Sequence, residues 1–280
     1  MNSIADVLRE ATQILQNAGV PDARREAGSL LSFVIEKDRT FLISHTEDEL
    51  DDQQVDQFRE VVERRAAGEP LQYVTGVQDF FGREFRVTPD VLIPRPETEL
   101  LVEAALKVNR TATLFCDVGT GSGCIAITLL CELYNARAIA VDKSPAALEV
   151  AKFNAEKLSV ADRAEFVVSD CFDSLKPRGF DLIVSNPPYV SAGVLAGLQR
   201  EVRDHEPLVA LSPGPDGLSI IRRLINEAPG FLKQHGHLIV EIGFDQGESV
   251  QQLIDANVWE LLEVRPDLQC IPRIVVLRKR

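Results

Sequence analysis

The sequence predicts an α/β protein: a doubly wound, mostly parallel sheet joined through a β-hairpin linker to a small N-terminal helical bundle. Three observations carry that reading. From residue 111 onward, short apolar β-branched runs alternate with helical patterns, as βαβ units require. Before residue 75 the apolar residues of successive segments recur every three or four positions, the period of a helix. Between these regions lies a short stretch rich in Phe, Gly and Pro that follows neither period.

In chain order, Ser3 can cap a helix that carries Ile4, Val7, Leu8, Ala11, Ile14 and Leu15 on one face. Gly19 and Pro21 end it. Asp22 begins a second helix with Ala23, Ala27, Leu30, Leu31 and Val34. A third, from about Asp51 to Ala67, turns Val55, Phe58, Val61 and Val62 inward and stops at Gly68. These helices define a predicted domain over 1–75. Its acidic outer faces read as solvated surface, with partner docking as the alternative. Residues 76–96 form the linker. Gln78–Val87 reads as a hairpin turning near Gly82, and Leu92-Ile93-Pro94-Arg95-Pro96-Glu97-Thr98-Glu99 follows. Two prolines hold Arg95 extended, and Pro96 suits the first position of a helix. Arg95 and Glu97 are either a surface ion pair or residues at the mouth of a site. Residues 97–280 carry the sheet, with strands expected at 113–118, 137–142, 164–169, 180–185, 236–242, 259–265 and 273–279.

Leu114–Val118 runs into Gly119-Thr120-Gly121-Ser122-Gly123 and then a helix through Ile125, Ala126 and Leu129. Glycines permit the tight turn and bring a ligand against the backbone. The G-x-G-x-G rhythm differs from the G-x-G-x-x-G of dinucleotide sites, and no G-x-x-x-x-G-K-[ST] occurs, so a pyrophosphate or nucleoside triphosphate is disfavoured. The next strand ends in Asp142, where a carboxylate suits a ribose diol. Ser144-Pro145 already supplies N-cap and N1 of the following helix, which leaves Asp142 for a ligand. At the end of the third strand Asp170 is placed to accept from an adenine amino group, with Cys171 or Phe172 against the base. Each of these positions also suits an ordinary turn.

The fourth strand ends in Asn186-Pro187-Pro188-Tyr189. The prolines stiffen the turn and leave its carbonyls free. Asn186 offers an acceptor and an NH2 donor, and Tyr189 a flat face. Together they suit a planar NH2-bearing group held by two acceptors and covered by a ring. In an open sheet the order reverses between the first and fourth strands, which sets this turn beside the glycine loop.

Net charge is −13, which argues against strong non-specific nucleic-acid binding. Five cysteines, at 116, 124, 131, 171 and 270, form no C-x-x-C pair and read as reduced core residues, with no metal expected. No signal peptide and no membrane span is evident.

Asp117–Gly123 together with Asn186–Tyr189 resembles the S-adenosylmethionine-dependent N-methyltransferases. Gly68–Gly76, Leu92–Glu99, Glu206–Leu211, Asp216–Leu218 and Glu241–Gly243 narrow the resemblance to the peptide chain release factor glutamine N5-methyltransferases, over nearly the whole chain. A Rossmann-like class I methyltransferase domain is implied. So is methylation of the glutamine amide in the Gly-Gly-Gln motif of class-1 release factors by S-adenosylmethionine. By this resemblance Gly119, Thr120, Gly121, Ser122, Gly123, Asp142, Asp170, Cys171 and Asn186 contact the cofactor. Asn186, Pro187, Pro188 and Tyr189 hold the glutamine, with Arg95 and Glu97 nearby, and Asn186, Pro187 and Tyr189 act in catalysis. Cys171 departs from the bulkier aromatic of some members beside the adenine. The helical domain would dock the release factor, and a cytoplasmic monomer without nucleic acid is expected. The alternatives are an adenine-N6 or related nucleic-acid amino-methyltransferase, and a non-catalytic or dehydrogenase-type nucleotide-binding module.

Overall fold

The computed structural model describes residues 2–280. It falls into two compact units, Met1–Val77 with Gln199–His205, and Gln78–Leu198 with Glu206–Arg280.

The first unit contains helices α1 (Ile4–Asn17), α2 (Ala23–Ile35), α3 (Arg39–Ser44), α4 (Asp52–Ala66) and α5 (Leu71–Thr75). Ser3 Oγ accepts the amide of Asp6, and Asp51 and Gln54 form a reciprocal capping box at α4. Asp22 begins α2 without a side-chain capping bond. The periodic apolar residues meet in one core, with Leu15, Leu30, Leu31 and Phe58 almost fully buried. The short helices α3 and α5 were not expected. The stripe of α4 continues to Arg65, 2% exposed, which donates to Glu26 and to Glu201 at 2.5 Å each and to the Glu69 carbonyl at 3.3 Å. A guanidinium tolerates such burial only where carboxylates and carbonyls meet its donors.

A hairpin follows, β1 (Val77–Phe80) and β2 (Arg83–Arg86). Its two-residue turn is Phe81-Gly82, with φ of +51° and +69°. Positive φ at both positions marks a type I′ turn, whose twist matches the strands.

The second unit is built on β3 (Leu114–Val118), β4 (Arg137–Asp142), β5 (Ala164–Val168), β6 (Phe180–Ser185), β7 (Leu232–Glu241), β8 (Trp259–Pro266) and β9 (Pro272–Lys279). Their order is β5-β4-β3-β6-β7-β9-β8. The first five are parallel, and β9 runs antiparallel between β7 and β8. All seven strands lie where expected, but β7 begins at Leu232 instead of 236. A bulge explains the difference. His235 takes φ +60°, and at Gly236 a Cβ would sit 3.0 Å from the Phe180 carbonyl. The sheet is covered on both faces. Phe115, Leu182, Val184 and Ile239 pack with the helices Glu99–Val108 and Cys124–Glu132. The alternate residues Cys116, Ile183, Leu238 and Val240 pack with Ser219–Glu227 and Trp259. Each large side chain so buried contributes roughly 1.5–3 kcal/mol. β3 pairs with β4 on one side and β6 on the other, so the order reverses there. The carboxyl ends of β3, β4 and β6 therefore open onto one crevice, where doubly wound sheets hold ligands.

Candidate active site

The crevice is a cavity of about 270 Å³. Gly119–Ser122 from the end of β3, Asp142 from β4, Asp170 and Cys171 after β5, and Asn186–Pro188 after β6 all line it. Thr98 and Arg95 line it from the segment before the first helix of this unit, and Val209 and Ala210 from the helix Leu208–Leu211.

The glycine turn is held from beneath and from the side. Asp117, fully buried at the end of β3, accepts from Thr120 Oγ1 at 2.7 Å and from the Ala126 amide at 3.2 Å on the same oxygen, Oδ2. Its Oδ1 has no partner among the described residues. Burial pushes this carboxyl up to about 7. Gly121 takes φ +54°, and nothing lies within 4 Å of where its Cβ would be. A side chain there would fill the cradle. Gly123, at φ +81°, would instead drive a Cβ to 2.7 Å from Ile127 Cδ1 and 3.1 Å from Ala151 Cβ, so that glycine serves packing.

Asp142 is more committed than the sequence suggested. Ser144 does cap its helix through the Ala147 amide, but Asp142 Oδ2 accepts from the Gly121 amide at 2.8 Å and Oδ1 from the Ser144 amide at 2.9 Å. Burial pushes its pKa up. One lone pair on each oxygen is left for a diol. Asp170 is also occupied. Arg223 donates to Oδ1 at 2.8 Å and Lys143 to Oδ2 at 3.1 Å, and the hydrogen bond from Lys143 leads in holding its pKa low. Cys171 sits at φ +51° with its thiol buried and pushed up to about 11, so it meets the cavity as a neutral, apolar group. Phe172 turns away and stacks on Phe231, centroids 4.6 Å apart.

At the end of β6, Ser185 Oγ donates to the Val118 carbonyl at 2.7 Å and ties the two strand ends together. Asn186 follows at the cavity wall. Its Nδ2 donates to Thr98 Oγ1 at 3.0 Å, and Thr98 Oγ1 donates to Glu241 Oε2 at 2.7 Å. Glu241, 1% exposed at the end of β7, also accepts from Tyr189 OH at 3.3 Å. Burial pushes Glu241 up to about 7 and the Tyr189 phenol well above its ordinary value. Tyr189 is not among the residues that line the cavity: its partly buried ring packs against the core behind the turn and its carbonyl accepts from Gln246 Nε2 at 3.2 Å. Glu97 is exposed and is not among the residues that line this cavity. Arg95 pairs with buried Glu206 and not with Glu97. Thr98 and Glu241 had no role in the sequence reading, although both lie in the family-like stretches Leu92–Glu99 and Glu241–Gly243.

The arrangement is a nucleotide-type cradle beside a rigid turn that presents an amide oxygen. Among the described residues no cluster of His, Cys, Asp and Glu could hold a metal ion, and no helix is long and apolar enough to cross a membrane.

Residues 6–76 match the family model described as PrmC N-terminal domain, and residues 96–200 that of the methyltransferase small domain. The chain is 45% identical over 274 residues to the release factor glutamine methyltransferase of Cereibacter sphaeroides, covering 98% of each. It is 43% identical to that of Koribacter versatilis, covering 96% of each. In fold it is similar to the hMettl16 catalytic domain solved with MAT2A 3′UTR hairpin 6, with a TM-score of 0.56 at 17% identity over 79% of this chain and 81% of that one. It is also similar to a Pyrococcus furiosus methyltransferase, with a TM-score of 0.53 at 15% identity over 71% and 90%. The near full-length identity to these two bacterial enzymes, together with both domain matches, means that this chain belongs to the release factor glutamine methyltransferase family.

Proposed function

We propose that this chain transfers the methyl group of S-adenosylmethionine to the side-chain amide nitrogen of the Gly-Gly-Gln glutamine in a class-1 release factor. The observation that carries this is Asn186, at the cavity wall beside the glycine turn, with Nδ2 bound to Thr98 and Oδ1 taking no donor among the described residues. The cradle suits the cofactor. Space at Gly121, lone pairs on Asp142 and the neutral Cys171 wall match a backbone contact, a ribose and an adenine. When bound, S-adenosylmethionine supplies an electrophilic sulfonium methyl group.

A glutamine amide nitrogen is a weak nucleophile because its lone pair is delocalised into the carbonyl. Asn186 Oδ1 and the Pro187 carbonyl would accept its two N–H bonds and aim the nitrogen. Such alignment contributes about 7–11 kcal/mol towards a barrier. The same two dipoles stabilise positive charge that develops on the nitrogen. Tyr189 contributes by tying the exit of the turn to Glu241 through its hydroxyl. No general base is needed: the methylated nitrogen is acidic enough to lose its proton to water. The chain acts as a cytoplasmic monomer on a protein, with the helical unit docking the release factor. The net charge of −13 favours a protein over a nucleic-acid substrate.

The test is intact-mass analysis and peptide mapping of a bacterial class-1 release factor incubated with the protein and S-adenosylmethionine. One added methyl on the Gly-Gly-Gln glutamine is expected, with kcat greatly reduced in Asn186→Ala. Methyl transfer to an RNA or DNA oligonucleotide instead would overturn the reading.

A further inference from the structure

The side-chain amide of Asn186 poses a problem that its shape does not solve. Oxygen and NH2 are nearly isosteric, so a half-turn of the amide exchanges an acceptor for a donor. Only the acceptor face can receive a substrate N–H. The amide's NH2 donates to the Thr98 hydroxyl, 3.0 Å from Nδ2. A hydroxyl both donates and accepts, and discriminates between the two faces only if its own proton is committed elsewhere.

That proton is committed. Thr98 Oγ1 lies 2.7 Å from Glu241 Oε2, and both residues are 1% exposed. A carboxylate only accepts. The other oxygen, Oε1, receives the Tyr189 hydroxyl at 3.3 Å. Every proton in the chain therefore points towards Glu241: Asn186 to Thr98, Thr98 to Glu241, and Tyr189 to Glu241. The group left unspent is Asn186 Oδ1, at the cavity. We infer that Thr98 and Glu241 are positioning residues for methyl transfer, a hydrogen-bond relay that locks Asn186 with its carbonyl oxygen towards the substrate. The inference rests on the proposed role of Asn186.

The relay spans three separate parts of the chain. Thr98 lies in the turn Pro96–Thr98, started by Pro96 at N1. Glu241 ends β7, and Asn186 follows β6, its parallel neighbour. A buried acidic terminus is costly in the desolvation of its charge. Replacing it by an apolar residue would relieve that cost and also release the Thr98 proton to turn towards Asn186. The amide would then flip and offer NH2 to a substrate that also offers NH2.

The experiment measures kcat for release factor methylation and, separately, the Kd for S-adenosylmethionine in Thr98→Val, Thr98→Ser and Glu241→Met. Valine keeps the shape and removes the hydroxyl. A fall in kcat of about tenfold to a hundredfold is expected, the range that loss of one buried hydrogen bond at a positioned group gives. The cofactor Kd should stay within about twofold, and serine should recover most of the rate. Glu241→Met retains the chain length, lacks the acceptor and relieves a buried charge. It tests the relay independently if Thr98→Val does not fold, and the same fall is expected. Combining Asn186→Ala with Thr98→Val should cost no more than Asn186→Ala alone, because Thr98 acts through Asn186. Multiplying losses, an unaltered kcat in Thr98→Val or Glu241→Met, or no recovery with serine would overturn the relay. Failure of the wild type to methylate the glutamine would instead overturn the proposed function, so the two failures are distinct.

Discussion

Asp142 accepts the amide N–H of Gly121 at 2.8 Å, so the carboxylate that ends one strand fixes the glycine turn that ends its neighbour. Asp142→Ala leaves the Gly121 and Ser144 amides without this acceptor. The Kd for S-adenosylmethionine should rise at least about tenfold, as expected from losing hydrogen bonds to a charged group, while kcat at saturating cofactor changes little. Titration calorimetry and initial rates check this. Asp142→Asn should fall between, since one amide oxygen replaces two carboxylate oxygens.

Gly121 and Gly123 are two residues apart and answer to different constraints. Alanine at 123 meets Ile127 and Ala151, so Gly123→Ala should unfold at lower denaturant, by about 2–4 kcal/mol for combined overpacking and left-handed strain. Alanine at 121 meets no protein atom, so Gly121→Ala should lose only about 1–2 kcal/mol of stability from its positive φ and lose cofactor affinity disproportionately. Parallel urea unfolding and cofactor titrations separate the two.

Glu241 should give opposed pH profiles for activity and stability. Its folded pKa of about 7 lies above the ordinary 4.5, so the folded protein holds an extra proton between those values. The stability from that proton is complete below 4.5 and lost as pH rises through about 7, on the order of 3 kcal/mol relative to Glu241→Met. Activity moves the other way. Protonated Glu241 can donate to Thr98 and undo the relay, so kcat should fall as pH drops through about 7. Asp117, also pushed up to about 7, touches the glycine turn instead. Unfolding and rate measurements from pH 5 to about 8.5 on both proteins, across the pKa values shifted by burial, check the opposition.

Arg65→Met removes the cation between Glu26 and Glu201. Breaking a buried ion pair from one side costs about 3–5 kcal/mol. Chemical unfolding of the first unit should shift by that amount, and the amides of Gln199–His205 should exchange faster with solvent.

Much of this was legible in sequence because it is local. Seven apolar β-branched runs became seven strands, and Ser3 and Asp51 cap the helices they precede. Helices α3 and α5 escaped because six and five residues carry too little periodicity. Arg65 had a signal: it continues the spacing of Phe58, Val61 and Val62, so a charge on the buried stripe called for a partner. Thr98 and Glu241 had none of that kind. Their bond joins residues 143 apart, and no local pattern records which strand end will face which turn. The same limit explains Asp142 and Asp170, whose types suited a ligand while the Gly121 amide reaches Asp142 from another strand end and Arg223 reaches Asp170 from the helix Ser219–Glu227.

The interleaved make-up of the two units governs how the protein can be dissected. The backbone passes between them three times, after Val77, Leu198 and His205. A fragment ending at Val77 would lack Glu201, the carboxylate that shares Arg65 with Glu26. No single cut therefore yields an intact helical module, and grafting that module onto another enzyme would require three splice junctions. Gene fusions and truncations that respect only the first junction should give insoluble or protease-sensitive products.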